Sequence, residues 1–338
     1  MNGETAARLV SPIAGVFLSA LAGCAGERPV SADPVVIPVP EALSPRDAAF
    51  VATIEEISRL LRDGAGPEAA RRLEAVRSNE VPEAYAPAVE ALGDWLLAVE
   101  VEEALSATSR VEVPRTEIAA GERIHAKVTL VNPGPHTIRL SPKARGSDAP
   151  RGILTVTFQE WGPLGARGEA SVPVRFDPPE AVIGPGESVW REVPIDTPKD
   201  APFALLEVRL AATLIPARVE AGKRPIPVRR LEVSPAVVRV FPPGWEGIAA
   251  GPLDALRKAL RATSPTYDRH VLTAAALVSP ADREEALRAC IEALDLSNPR
   301  RQASAMAALQ YLTGRTDLPF EPTVWRRWWR ERVEGGNG

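Results

Sequence analysis

The stretch Ile124-His125-Ala126-Lys127-Val128-Thr129-Leu130-Val131-Asn132-Pro133-Gly134-Pro135-His136 decides how the middle of this chain is read. Ile124, Ala126, Val128 and Leu130 alternate with His125, Lys127 and Thr129, the period-two pattern of a strand with one buried face. Asn132 to His136 then supplies turn chemistry before another strand. The same pattern repeats from Ser109 onward, where 110–113, 124–131, 137–140, 153–159, 172–176, 189–195, 205–214 and 231–241 read as seven or eight strands. A β-sandwich explains them best.

Two short echoes refine that expectation. Ile118-Ala119-Ala120-Gly121-Glu122 and Ile183-Gly184-Pro185-Gly186-Glu187 each precede a strand. Both resemble the apolar, small, small, Gly, Glu turn of bacterial immunoglobulin-like and fibronectin-like modules. The resemblance implies an immunoglobulin-like β-sandwich over residues 109–243 and carries no activity of its own.

On the N-terminal side the period changes to that of helices. Ser44-Pro45-Arg46-Asp47 offers an N-cap, a first-position proline and a first-turn acid, and Val51, Ile54, Ile57, Leu60 and Leu61 form one apolar face. Segments 67–77 and 82–105 follow, and Leu73, Val76, Val89, Leu92, Trp95, Leu96 and Val99 can close a small bundle over residues 44–108. Gly64 and Gly66 have no following Lys-Ser/Thr pair and no preceding strand, so they punctuate helices and do not cradle phosphate.

The helical period returns after Phe241-Pro242-Pro243-Gly244. Leu253, Leu256, Ala259 and Leu260 open it, 265–277 continues it, and Ser279-Pro280-Ala281-Asp282 and Asn298-Pro299 each start a further helix. Helix pairs with an early proline resemble HEAT-type repeats. The ending Ala307-Ala308-Leu309-Gln310-Tyr311-Leu312-Thr313-Gly314, then Phe320, then Trp325-Arg326-Arg327-Trp328-Trp329, resembles the HEAT-repeat domains of exported planctomycete-type proteins. That resemblance implies a HEAT-like α-helical domain over residues 250–334. The expected fold class is therefore multidomain α and β: an N-terminal helical bundle, a central immunoglobulin-like sandwich and a C-terminal HEAT-like domain.

The N-terminus reads as a targeting signal. Leu9 to Ala20 is an apolar run too short to span a bilayer, and Leu21-Ala22-Gly23-Cys24 follows it. This resembles the lipobox of bacterial lipoprotein precursors. The resemblance implies a signal peptide over 1–23, lipidation of Cys24, and a membrane anchor made of acyl chains, each buried methylene adding about 0.8 kcal/mol. Residues 24–43 are proline-rich and read as a tether. Ala25 follows the cysteine where inner-membrane retention usually requires Asp, so the resemblance points to the outer membrane, with the body periplasmic or surface-exposed.

Composition excludes some classes of function. The 338 residues are 45% apolar and 25% charged with a net charge of -4, as in globular domains, and no basic stripe points to nucleic acid. His125, His136 and His270 are scattered without metal-ligand spacing, and no G-x-S-x-G turn occurs, so no metal, cofactor or catalytic set is readable. The adjacent acids Glu55-Glu56 and Glu102-Glu103 point in different directions on helices. With Cys24 acylated, Cys290 has no disulfide partner and reads as a small buried apolar residue.

Trp325, Trp328 and Trp329 lie at i, i+3 and i+4 on one side of a helix, either as a binding surface or as the cap that closes the helical stack. Location and fold types together suggest a non-catalytic envelope lipoprotein that presents surfaces to a protein partner. The alternative is a polysaccharide- or peptidoglycan-binding lipoprotein using the sandwich, with Trp161 or Trp190 stacking on sugar rings.

Overall fold

A computed structural model describes residues 44–141, 152–178, 180–199, 203–216, 218–228 and 230–335. The expected lipobox with Cys24 and the expected tether of 24–43 lie outside the described residues. The chain is mixed α and β and divides into two compact units between Leu96 and Leu97, inside a helix.

In the first unit, helix α1 (Pro45–Arg62) begins as its sequence dictates: the Asp47 amide donates to Ser44 Oγ at 3.1 Å, and Ser44 Oγ–H reaches Asp47 Oδ2 at 2.6 Å. Helix α2 (Gly66–Arg77) packs on α1. A 3-10 turn (Glu83–Tyr85) leads into α3 (Ala86–Thr108). Ile54, Ile57, Leu73 and Leu92 are fully buried here, each adding about 1.5–3 kcal/mol by removing its apolar surface from water.

The second unit opens with the rest of α3, whose Ala98, Val101 and Leu105 enter the core of the β region. That region holds β1 (Arg110–Glu112), β2 (Glu117–Ala119), β3 (Arg123–Val131), β4 (Ile138–Ser141), β5 (Gly152–Gly162) and β6 (Gly165–Phe176). It continues with β7 (Ala181–Ile183), β8 (Ser188–Asp196), β9 (Leu205–Leu214), β10 (Arg218–Ala221), β11 (Arg224–Ile226) and β12 (Leu231–Phe241). One sheet has the order β6-β5-β9-β12-β1-β3-β8, with β2 also on β12; the other has the order β11-β10-β4-β7. Inward residues of both sheets share one core: Ile124, Val128, Leu154 and Val208 from the first, Ile138 and Val219 from the second.

The two echoed turns are built alike. In each, a carboxylate reaches back three residues: the Ala119 amide donates to Glu122 Oε1 at 3.2 Å, and the Gly184 amide to Glu187 Oε2 at 2.8 Å. The third position of each turn has positive φ, 85° at Gly121 and 75° at Gly186, which an L side chain adopts only at a cost. Because β3 and β8 pair antiparallel from Arg123↔Asp196 to Val131↔Ser188, the turns close opposite ends of one ribbon.

The strands depart from the sequence expectation at their edges. β6 begins at Gly165 and not near 172, because Gly162 and Gly165 face each other across a tight hairpin and a register shift near Gln159/Glu160 absorbs one residue. β2, β7, β10 and β11 have only three or four residues each, too few for alternation to show. Pro235 is tolerated inside β12 because the ladder with β9 shifts register between Val233 and Ala236.

The C-terminal helices are α4 (Glu246–Ala249), α5 (Pro252–Arg261), α6 (Tyr267–Leu277), α7 (Arg283–Ala293), α8 (Pro299–Thr313) and α9 (Pro322–Gly335). Ser279 and Asn298 cap as the sequence predicts, Asn298 Oδ1 accepting from the Arg300 amide at 3.0 Å. Leu256, Val271, Leu287, Cys290, Leu309 and Trp325 anchor one apolar core. Inside it Arg301, 2% exposed, places Nη1 2.8 Å from Asp268 Oδ1, close enough for an ion pair though out of line for a hydrogen bond, and donates through Nη2 to the Ser264 carbonyl at 2.7 Å.

Candidate functional site

The end of the larger sheet is covered by α6 and α8. Trp161, Leu205 and Phe241 bury themselves there against Leu272 and Ala276, with Tyr311 and Trp245 at the margin. Trp161 meets Tyr311 edge to face at 5.1 Å, and Phe241 stacks on Trp245 at 5.0 Å.

Polar bonds tie the same joint. The Thr273 hydroxyl donates to the Ala204 carbonyl at 2.8 Å, and Arg239 bridges Glu117 to the Ala276 carbonyl. Glu207 accepts from Trp161 Nε1 at 3.2 Å and from the Tyr311 hydroxyl at 3.1 Å.

A cleft of about 480 Å³ runs along this joint, lined by Glu207, Arg239, Arg283 and Tyr311 among others. Burial, and after it the Glu207 carboxylate, pushes the Tyr311 hydroxyl up to about 12, so it keeps its proton beyond the pH at which an ordinary tyrosine ionises. The carboxylate is occupied by two donors from different elements. This arrangement fastens the sheet to the helices. In the sequence Glu207 and Arg239 belong to no motif, and Tyr311 stands out only within the 307–314 ending. The one signal was Glu207 itself, an acid in the apolar run Ala204-Leu205-Leu206-Glu207-Val208.

The three C-terminal tryptophans are brought together on α9. Trp325 is fully buried, and its Nε1–H donates to the Pro319 carbonyl at 3.0 Å. Trp328 lies edge to face with it at 5.6 Å, Trp329 is 6.3 Å from Trp328, and both are partly buried against the helical core. Of the flanking arginines, Arg326 does not simply face solvent: it reaches the Leu294 carbonyl at the end of α7 and pairs with Asp295 at 2.9 Å. Cys290 is fully buried, and burial pushes its thiol up to about 12.

The two tryptophans of the β region separate. Trp161 is 6% exposed in the joint, whereas Trp190 on β8 is 53% exposed, with Lys127 Nζ 4.9 Å from its ring center. Around Trp190 the outer face of β1, β3 and β8 is a charge ladder. His125 Nδ1 meets Glu192 at 2.6 Å, Arg123 pairs with Asp196 at 2.7 Å, and Lys127 with Glu112 at 3.8 Å. The Thr129 hydroxyl, and next the Arg110 guanidinium, hold the Glu112 carboxyl below the usual carboxylate range.

Among the described residues no group of three or more His, Cys, Asp or Glu is placed to hold a metal ion, and no helix is long and apolar enough to cross a membrane. No known family matches the chain, and no curated protein does. Among the solved structures that align with it, two do so over about half of their own length. The sporulation control protein Spo0M of Bacillus subtilis is 14% identical over 44% of this chain and 55% of its own, with a TM-score of 0.23. The Pseudomonas fluorescens alkylpurine DNA glycosylase AlkC, bound to DNA containing an abasic site analog, is 11% identical over 59% of this chain and 52% of its own, with a TM-score of 0.20. Neither likeness is close enough to carry an argument about fold or function.

Proposed function

We propose that this chain is a lipid-anchored, non-catalytic interaction module of the cell envelope, held to the outer membrane through Cys24 and presenting its surfaces to a protein partner. The joint is the observation that carries the reading. Glu207, Tyr311, Trp161 and Arg239 line or border the cleft and hold the sheet to the helices, which leaves the exterior as the working surface. The β region is read as an immunoglobulin-like sandwich, supported by two sheets whose inward residues share one core. Helices α5 to α8 are read as HEAT-like, supported by proline at the start of α5 and α8 and by their common core.

Mass spectrometry of the mature N-terminus tests the anchor: the expected product begins at an acylated Cys24, and Cys24→Ala leaves the membrane fraction. An unmodified Cys24 overturns it. Crosslinking in detergent-solubilised envelopes tests the partner: the expected outcome is one recurrent protein adduct on the lipidated form, and turnover of a substrate by the purified chain would refute the non-catalytic reading.

A second reading, glycan or peptidoglycan binding by the sandwich, is favored by the exposure of Trp190 alone. Trp190→Ala should abolish sedimentation with peptidoglycan if it holds.

A further inference from the structure

We propose that the cleft between the start of α7, the end of α8 and α9 binds an oxyanion carried on an apolar body: a carboxylate or phosphate group attached to an alkyl or aromatic moiety. The cleft has a volume of about 440 Å³, within the range of about 300–1,000 Å³ that holds small organic ligands. Its apolar lining is Leu287, Leu312 and Trp328; its charged lining is Arg283, Arg315 and Arg332, and no acid lines it.

Each guanidinium keeps N–H groups free for a ligand. Arg283 donates through Nη2 to the Leu312 carbonyl and has no carboxylate at ion-pair distance among the described residues. Arg315 pairs with Asp317 through Nε and Nη2, both at 2.8 Å, so Nη1 is left over. Arg332 meets Glu284 through Nη2 at 3.0 Å, which leaves Nε and Nη1, and its Cζ lies 5.8 Å from the Trp328 ring center.

Three arginines thus line one cleft, while Asp317 and Glu284, the carboxylates that pair with two of them, are not part of its lining. The carbonyl end of α8 would repel a bare anion, and Arg283 covers one of those carbonyls. Guanidinium groups favor carboxylate and phosphate through paired, charge-assisted hydrogen bonds, while the apolar lining selects a ligand with a hydrophobic part. The proposal is independent of the interaction-module reading, since neither the anchor nor a protein partner enters it.

Calorimetric titration of the full chain with hexanoate, hexyl phosphate and hexanol tests it. Saturable binding of either anion, with none of hexanol, is the expected result, and the preferred anion identifies the ligand's head group. The Arg315→Gln/Arg332→Gln variant should bind about tenfold more weakly or worse. These two side chains are exposed and the variant leaves the Arg283 bond to α8 in place, so it carries the test even if Arg283→Gln fails to fold. No saturable heat with either anion, equal binding of hexanol, or unchanged affinity in a variant whose melting is unaltered would overturn the proposal.

Discussion

Trp161 and Trp190 each lie in a strand beside a charged residue, Glu160 and Arg191, yet they occupy opposite circumstances. Trp161 ends its strand where two helices cover the sheet and is 6% exposed; Trp190 stands in mid-ribbon on the outer face and is 53% exposed. The indole is the same in both. Its role is set by whether another element arrives to cover it, and that element comes from far along the chain: Tyr311 is 104 residues from Glu207, the carboxylate they share with Trp161.

The contrast can be broken at several points. Trp161→Ala should remove a wedge from the joint and cost about 3–5 kcal/mol, read as a lower melting temperature of the sheet and C-terminal helices together. If only the helices melted earlier, the joint would not couple them.

Tyr311→Phe sharpens the contrast through pH. The folded hydroxyl is raised from 10.0 to about 12, so above 10 the unfolded chain releases its proton first and stability falls as pH rises, until the folded group also ionises. The wild type should lose about 2 kcal/mol between those values, and alkaline denaturation of the variant should lack that slope.

Gly186→Ala probes the ribbon that carries Trp190. Its Cβ would have open space, so the cost is that of the left-handed backbone alone, about 1–2 kcal/mol by thermal melting. Trp190→Ala should shift stability by no more than about 0.5 kcal/mol, as exposed positions do. A loss comparable to that of Trp161→Ala would erase the distinction between the two tryptophans.

Local features were legible in the sequence. Ser44, Ser279 and Asn298 mark helix starts because a cap needs only a side-chain oxygen and a few following residues. The strand at 123–131 is legible because one face is buried throughout its length. β2, β7, β10 and β11 are too short to display a period, and β6 hides among Gly162, Pro163, Gly165 and Gly168, residues that usually interrupt strands. The candidate sites were less legible for a different reason. Glu207 with Tyr311, and Arg283 with Arg315 and Arg332, meet only in the folded chain, and an arginine-rich composition conceals which guanidinium groups converge.

Phe241-Pro242-Pro243-Gly244-Trp245 resembles a linker between separate bodies, but Phe241 and Trp245 stack across it and the sheet end needs Tyr311 for its cover. During synthesis the ribosome adds 70 residues between Phe241 and Tyr311 (311 minus 241) before that cover exists. At the usual pace of translation the sheet end would wait about 4–14 s for its full cover, Leu272 and Ala276 of α6 arriving before Tyr311. In the nascent chain this is a window for chaperone capture, and a product truncated after β12 would carry the bare end permanently.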